Sequence, residues 1–325
     1  MKMLKSFYNF NSVYIIGIIR MLRKKLFGNP STNSIKEENK RRKTDDQTLD
    51  LSVKNCEVAD ISKYFPNLDK LAPVKVEDEI IRLQNELNKV LRTLNFKAPP
   101  IAFVYNPLEY ALRPHENYVR KFCTSKKKII FVGMNPGPYG MCQTGVPFGD
   151  PKWVKEWLKI EGEVFKPDEE CPERKILGLE SPRKEQSGNR FWGYFASICN
   201  QPEEFFKHSY VYNFCPLAFM KKDGCNVTPN EIKDAQIRRE LENICGGCFV
   251  RLLDLLEPDI IISIGSYVDK KIKDLFKTHN ITNINILCLP HPSPRALNNT
   301  NWAEKAEHFL TTNDLKHYFE PSDGQ

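Results

Sequence analysis

Hydrophobic and polar positions along the chain follow two periodicities that alternate with each other. Short apolar runs predict buried strands at 128–132, 209–214, 259–264 and 284–289. Apolar residues at helical spacing predict helices at 77–94, 151–158, 189–200, 229–256, 266–279 and 301–312. Strands that alternate with helices favour an α/β fold, here a four-stranded, mainly parallel sheet flanked by helices.

Two further segments indicate where a helix begins and where a long loop lies. Thr228-Pro229-Asn230-Glu231 has the residue types of a helix start: an N-cap, a proline at the first position and an acid at the third. Residues 160–187 are charged and show no period, which predicts a long surface loop near the functional site.

Charge divides the chain into a predicted tail and a predicted domain. The net charge is +7, and residues 1–50 contribute +6 of it, from 11 Lys/Arg and 5 Asp/Glu. We predict a disordered basic tail at 1–60 and one folded domain at 61–320. Because the remaining chain is nearly neutral, any surface there that binds a polyanion must come from local clusters of charge.

The N-terminal region also bears on location. Residues 40–43, Lys-Arg-Arg-Lys, predict nuclear import. A mitochondrial presequence in the apolar stretch 7–19 and the basic residues after it is the less favoured alternative.

The chain has no 18-residue apolar run, so we expect no membrane span. Its ten cysteines form no regular framework, and its one CxxC, at 245–248, has no second half-site. We therefore expect reduced structural cysteines, no metal and no cofactor.

The most informative stretch is residues 133–149, directly after the apolar run Ile129-Ile130-Phe131-Val132. It contains five glycines and three prolines in 17 residues, which predicts a stiff loop and argues against a helix. Loops at the carboxyl ends of parallel strands are where α/β folds bind ligands. Polar groups and flat rings in the loop suit a planar polar ligand such as a nucleobase; these residues are Asn135, Gln143, Thr144, Tyr139 and Phe148.

A second stiff turn follows the last predicted strand. In residues 289–295 the sequence is Leu-Pro-His-Pro-Ser-Pro-Arg, with a proline at every second position. The prolines restrict where the His291 imidazole and the Arg295 guanidinium point, and so lower the entropy lost when a ligand binds.

Together these motifs resemble those of the single-strand-selective monofunctional uracil-DNA glycosylases. Two further stretches match, Val211–Leu217 and the pair Gly178–Glu180 with Ser187–Gly193. The resemblance covers roughly residues 75–315. It implies the uracil-DNA glycosylase fold and metal-free hydrolysis of the N-glycosidic bond of uracil, and of oxidised uracils such as 5-hydroxymethyluracil, after base flipping. No lysine in either main motif could form a Schiff base, so no lyase step is expected.

The resemblance also implies roles for individual residues. Asn135 would position the attacking water, and His291 would donate to uracil O2 as negative charge develops there. Asn213 would read O4 and N3–H, Phe148 would stack on the base, and Gly137 would leave room at the 5-position. The residues expected to bind the substrate are Met134, Gly137, Tyr139, Met141, Phe148 and Asn213; from the residues alone, Met134 and Met141 are as readily explained by packing.

DNA is the expected partner, bound by a monomer. The residues expected to enter it are Ser293, Pro294, Arg295, Ala296 and Leu297. The family pattern has Asn-Pro after the arginine where this chain has Ala296-Leu297. Lys126–Lys128 and Lys270–Lys271 are candidates for phosphate contacts, with simple surface solvation as the alternative.

Two other functions remain open from the sequence. One is a glycosylase with a shifted base preference, for oxidised pyrimidines or deaminated purines. The other is a non-catalytic protein that binds damaged or single-stranded DNA.

Overall fold

The main sheet of the protein is parallel and has four strands, which lie side by side in the order 209–213, 129–133, 260–264 and 285–289. The structure is a computed structural model that describes residues 75–296 and 299–320; the predicted tail and residues 61–74 lie outside them. The strands of this sheet are β2 (Ile129–Gly133), β3 (Ser209–Asn213), β6 (Ile260–Ile264) and β7 (Asn285–Leu289). Each predicted strand is confirmed to within one residue at either end, and the predicted α/β class with it.

The apolar pattern of β2 agrees with its central place in the sheet. β2 is buried along its whole length, and β2 is paired on both sides, by β3 and β6. β7 is at one edge and is partly exposed. A continuous apolar run such as Ile129–Val132 suits a central strand, because both of its faces are covered.

Helices surround the sheet. They are α1 (Val76–Leu91), α2 (Pro107–Tyr110), α3 (Leu112–Phe122), α4 (Met141–Thr144), α5 (Pro151–Glu156), α6 (Gln186–Ile198), α7 (Pro202–His208), α8 (Ala235–Leu256), α9 (Ser266–Thr278) and α10 (Trp302–Thr312). No helix in the described part of the chain is long and apolar enough to cross a membrane.

A second, smaller sheet was not predicted. Its antiparallel strands are β1 (Phe103–Tyr105), β4 (Ala218–Met220) and β5 (Asn226–Val227), in the order β1-β4-β5. Strands of two or three residues are too short to show an alternating pattern, so sequence periodicity could not find them.

The helix predicted at 229–256 is wrong in its first turn. The Thr228 capping box forms, with Glu231 Oε2 accepting from the Thr228 N–H at 2.8 Å, but it begins only a 3-10 turn, Pro229–Glu231. The helix itself begins after Asp234, whose side chain accepts from the N–H groups of Gln236 and Ile237. A second N-cap three residues after the turn therefore fixes the boundary.

Aromatic side chains fill the core behind β2. The ring of Phe131 lies 5.4–5.7 Å from those of Phe191, Phe195 and Phe205. Such pairs contribute roughly 0.5–1.5 kcal/mol each beyond the area that they bury. This cluster holds α6 and α7 against the sheet, and α6 in turn supports the loop after β2.

Candidate active site

An open cavity of about 770 Å³ lies at the carboxyl end of the parallel strands. The loop after β2, the end of β3 and the turn after β7 all contribute to its lining. Of the thirteen residues predicted for the site, eleven line this cavity: Asn135, His291, Met134, Gly137, Tyr139, Met141, Phe148, Asn213, Ser293, Pro294 and Arg295. Ala296 is exposed beside them, and Leu297 lies outside the described residues.

The loop after β2 is fastened to the chain that follows β3. The N–H groups of Phe214 and Cys215 donate to the carbonyls of Gly133 and Met134, each at 2.9 Å. Asn135 donates its side-chain N–H to the Leu217 carbonyl at 3.2 Å. The carboxamide of Asn135 is thus oriented by a backbone acceptor, which leaves its own oxygen to accept from a ligand.

Gly133 allows Asn213 and Phe148 to come together. A side chain at 133 would lie 2.3 Å from Asn213 Oδ1 and 2.8 Å from the Phe148 ring. Asn213 is only 5% exposed, and its Nδ2 donates to Met141 Sδ at 3.2 Å. Met141 therefore orients the amide of Asn213, a role that explains its burial better than direct contact with a ligand would.

Phe148 has an unusual backbone that α6 stabilises. Its φ is +53°, in the left-handed region that side chains rarely adopt. Gly188 approaches so closely that a side chain there would lie 1.8 Å from the Phe148 carbonyl oxygen. The Phe148 ring stacks on Phe191 with 5.1 Å between centroids, and its centroid is 6.0 Å from that of His291. The ring is therefore fixed beside the imidazole.

His291 is a neutral hydrogen-bond donor. Burial lowers its pKa to about 4, so it is uncharged at neutral pH. Its Nδ1 accepts the Ser293 N–H at 3.1 Å, so the ring proton must be on Nε2. Gly265, at φ +93°, makes room for it, since a side chain at 265 would lie 3.2 Å from His291 Cβ.

Three side chains hold the turn that carries His291. Trp302 Nε1 donates to the Pro290 carbonyl at 2.7 Å. Asn299 donates to the carbonyls of His291 and Ser293, at 2.9 and 2.8 Å. Arg190 donates to the Asn299 carbonyl at 2.7 Å. The prolines therefore act together with a set of long-range hydrogen bonds that the sequence alone did not reveal.

Two predicted ligand contacts in the loop are wrong. Gln143 bridges the carbonyls of Pro138 and Lys175 and accepts from the Leu177 N–H, while Thr144 bonds to the Gly140 and Gly149 carbonyls. Both side chains are buried and brace the loop. The prediction that the loop contains no helix is also wrong, because Met141–Thr144 form one helical turn.

The cluster Lys126–Lys128 does not lie where phosphate contacts were expected. Lys126–Lys128 come just before β2, at the opposite end of the strand from the cavity. Lys126 and Lys128 pair with Glu257 and Asp259, and buried Lys127 donates to the Phe206 carbonyl. Lys271 pairs with Glu242 at 2.6 Å. Ion pairs account for Lys126, Lys128 and Lys271, and an internal hydrogen bond accounts for Lys127.

Glu185 is a cavity residue that the sequence analysis missed. Its carboxylate accepts the Gly188 N–H and caps α6, and its side chain packs so tightly on Gly140 that a side chain there would lie 2.6 Å from Glu185 Cγ. Burial raises the pKa of Glu185, and N–H groups at 187 and 188 oppose that rise. Glutamate is not among the preferred N-cap residues, so the sequence contained no local signal for this role.

The predicted charged loop at 160–187 does reach the cavity. Its basic residues Arg174, Arg183 and Lys184 line the wall next to Tyr139. The loop also contains two short 3-10 turns, Pro172–Arg174 and Gly178–Glu180. Among the described residues, no group of three or more His, Cys, Asp or Glu side chains could hold a metal ion.

Comparison with known proteins agrees with this geometry. Residues 120–315 match the family model of the uracil DNA glycosylase superfamily. The chain is 38% identical over 266 residues to the single-strand selective monofunctional uracil DNA glycosylase of Mus musculus, which covers 81% of this chain and 92% of the mouse protein. It is 40% identical over 247 residues to that of Rattus norvegicus, covering 75% and 86%.

The fold agrees as well. The crystal structure of wild-type SMUG2 from Pedobacter heparinus superposes with a TM-score of 0.51 at 18% identity, over 74% of this chain and 99% of that one. The chain therefore belongs to the uracil DNA glycosylase superfamily. Within it, the chain belongs with the single-strand selective monofunctional uracil-DNA glycosylases, enzymes that hydrolyse N-glycosyl bonds, which confirms the resemblance in the sequence.

Proposed function

We propose that the protein removes uracil from DNA by hydrolysing the N-glycosidic bond, with Asn135 and His291 as its catalytic residues. The observation that carries the proposal is the fixed tautomer of His291: its Nε2 is the donor, at the wall of a cavity that Asn213 and Phe148 also line. A neutral donor suits the anion that uracil becomes as it leaves, because it stabilises charge without first being protonated.

The proposed mechanism is dissociative. The bond between the sugar and the base breaks with its electron pair moving to the base, where charge develops at O2 beside His291. Asn135 holds a water against the resulting oxocarbenium-like cation. Because an amide is a poor base, the water loses its proton only after attack begins, and positioning contributes most of the rate.

Asn213 is the proposed reader of the base. Its Nδ2 has a second N–H besides the one directed at Met141, and this would donate to uracil O4 while Oδ1 accepts from N3–H. Cytosine presents the opposite pattern at those positions, so it would leave both groups unpaired. Phe148 would stack on the base, by roughly 1–3 kcal/mol.

Oxidised uracils belong to the proposed substrate range. A side-chain Cβ built at Gly137 would make only ordinary van der Waals contact, 3.7 Å from Glu185 Cγ, so this glycine leaves room for one small group. A small substituent at the 5-position of the base, such as hydroxymethyl, could occupy this room.

The base would reach the cavity by flipping out of a stack, with Ser293–Ala296 at the rim as the segment that enters DNA. A monomer that acts in the nucleus completes the proposal.

The experiment is release of the base from oligonucleotides of one sequence. Each oligonucleotide would carry uracil, 5-hydroxymethyluracil, thymine or cytosine at one position, as a single strand or a duplex, and alkali would convert each vacant sugar into a strand break. We expect breaks with the first two bases only. Breaks at other lesions alone would mean a shifted base preference, and binding without any breaks would mean a non-catalytic protein.

A further inference from the structure

Three cations of the 160–187 segment meet at one wall of the cavity. The guanidinium carbons of Arg174 and Arg183 lie over the Tyr139 ring, 5.3 and 5.7 Å from its centroid, and Lys184 lines the cavity next to them. An arginine held over an aromatic face has less rotamer freedom to lose when it binds a ligand. Tyr139 thus orders both guanidinium groups at the entrance to the base site.

These cations have no acid partner among the described residues. Arg174 donates one N–H to the Glu173 backbone carbonyl at 2.7 Å, and its Nε is buried without a hydrogen-bond partner. Other lysines in or beside the segment do pair, as Lys166 does with Glu170 at 2.9 Å. Arg183 and Lys184 are exposed and line the cavity, so their N–H groups are available to an anion that enters it.

The charged residues that line the cavity have a positive net charge. The cavity is lined by four Lys or Arg side chains, including Arg295, and by one carboxylate, Glu185. That carboxylate accepts the Gly188 N–H at the start of α6, and its single negative charge is outnumbered by the four positive charges of the lining.

We propose that Arg174 and Arg183, ordered on Tyr139 and assisted by Lys184, form a phosphate clamp for the strand that carries the target base. This inference rests on the proposed function, because it places the clamp next to the extruded nucleotide. Guanidinium groups bind phosphate oxygens through two parallel N–H donors, and a DNA strand offers one phosphate per nucleotide. The clamp contacts one strand alone, so it holds that strand whether or not a complement is present.

Salt-dependent binding tests the clamp without requiring catalysis. Full-length wild type, Arg183→Ala and Arg183→Lys would be titrated onto a uracil-free single-stranded oligonucleotide at several salt concentrations. We expect Arg183→Ala to weaken binding about three- to tenfold at low salt and to reduce the slope of log affinity against log salt by about 0.7. Arg183→Lys, which keeps the charge, should lose less.

Lys128→Ala is the matched control, since it removes one charge at the opposite end of β2. We expect it to bind as wild type does. An Arg183→Ala protein with the affinity and salt slope of wild type would overturn the clamp, as would an equal loss in Lys128→Ala. Equal melting temperatures would show that each variant is folded.

Single neutral linkages locate the phosphate. Oligonucleotides would carry 2′-fluoro-deoxyuridine, whose fluorine disfavours the oxocarbenium-like cation and keeps the base in place, with a methylphosphonate at one flanking linkage. Wild type should lose affinity at one linkage, and Arg183→Ala should be insensitive to that same change. Equal losses for both proteins at every linkage would overturn the clamp. The wild type could lose affinity at one linkage to which Arg183→Ala is insensitive and yet release no uracil from the natural substrate. That outcome would refute the proposed function and would still support the clamp.

Discussion

Two uncharged side chains, Asn135 and His291, are the proposed catalytic residues, and each is oriented by the backbone. Asn135 is oriented by the Leu217 carbonyl, and His291 by the Ser293 N–H. Neither residue needs to change its protonation state before the bond breaks. Catalysis would therefore depend on where dipoles are fixed and hardly at all on titration near neutral pH.

Asn135→Ala should abolish most turnover and leave DNA affinity within a few-fold of wild type. The amide would hold water at the transition state and contributes little to binding of the ground state. Single-turnover excision of uracil, measured beside equilibrium binding, checks this. A near-normal rate in the variant would exclude Asn135 as the residue that positions water.

His291→Leu should lose on the order of 10²–10³ in rate, the usual effect of removing one oxyanion donor. Leucine preserves bulk next to Phe148 but cannot donate to O2. Single-turnover rates and melting temperatures would be compared for the same preparations. A stable variant that excises uracil at the normal rate would show that His291 only shapes the turn.

Asn213→Asp tests how the base is read. Aspartate keeps the shape of the side chain but replaces the NH₂ donor with an acceptor, so uracil excision should fall by at least ~1–3 kcal/mol of transition-state stabilisation. A protonated aspartate could pair with cytosine N3, which predicts weak cytosine release at low pH. Excision would be followed on uracil- and cytosine-containing single strands of one sequence. Unchanged uracil excision would assign base reading to another residue.

At the scale of the element, glycines at the carboxyl ends of the strands allow the backbone to lie close to the side chains of the site. Gly265 ends β6 in the left-handed region and lies directly behind His291. Gly133 ends β2 against Asn213 and Phe148. The carboxyl ends of neighbouring strands can therefore place their side chains in one cavity without steric overlap.

Gly265→Ala should reduce both stability and rate. Alanine at φ +93° is strained by roughly 1–2 kcal/mol, and its methyl group would press on His291 Cβ, 3.2 Å away. Urea unfolding and single-turnover excision would be measured, with Gly137→Ala as the control for stability because a side chain there meets no atom closer than 3.7 Å. Equal stability of the two variants would contradict the strain argument.

The sequence predicted those parts of the fold and site that local pattern encodes. Four strands, the loop after β2 and the turn around His291 each have a pattern of their own. The partners of Gln143 and the arginines over Tyr139 depend on chain segments that are distant in sequence, so no local pattern contains them. The 3-10 turn at Pro229 was missed for a different reason: Thr228 and Asp234 are both good N-caps, and the sequence does not rank them.

At the scale of the whole molecule, the buried His115 and the half-buried His291 make stability depend on pH. Burial lowers the pKa of His115 and of His291 to about 4 from the ordinary 6.5. The unfolded chain therefore takes up protons first as pH falls, so stability is fully present above pH 6.5 and declines between 6.5 and 4. The decline should be roughly 2–3 kcal/mol for each histidine.

Unfolding in urea at a series of pH values from 7.5 to 4.5 measures this decline. His291→Leu removes one of these two histidines, so the free energy of unfolding of that variant should fall less steeply with falling pH than that of wild type. The carboxylates that titrate in the same range are common to both proteins and cancel in the comparison. Parallel pH profiles would mean that His291 is not a buried neutral group in the folded state.

The order of strands in the main sheet also bears on how the protein is made. The central strand β2 pairs with β3 and with β6, so that Ile129 lies between Ser209 and Ile260. A nascent chain leaving the ribosome has an apolar central strand long before the second of its neighbours is synthesised. Sheets whose paired strands are far apart in sequence form slowly, and their apolar strand edges stay exposed until pairing is complete. The same topology that gathers the site at one edge of the sheet therefore delays full burial of the central strand until β6 has been synthesised.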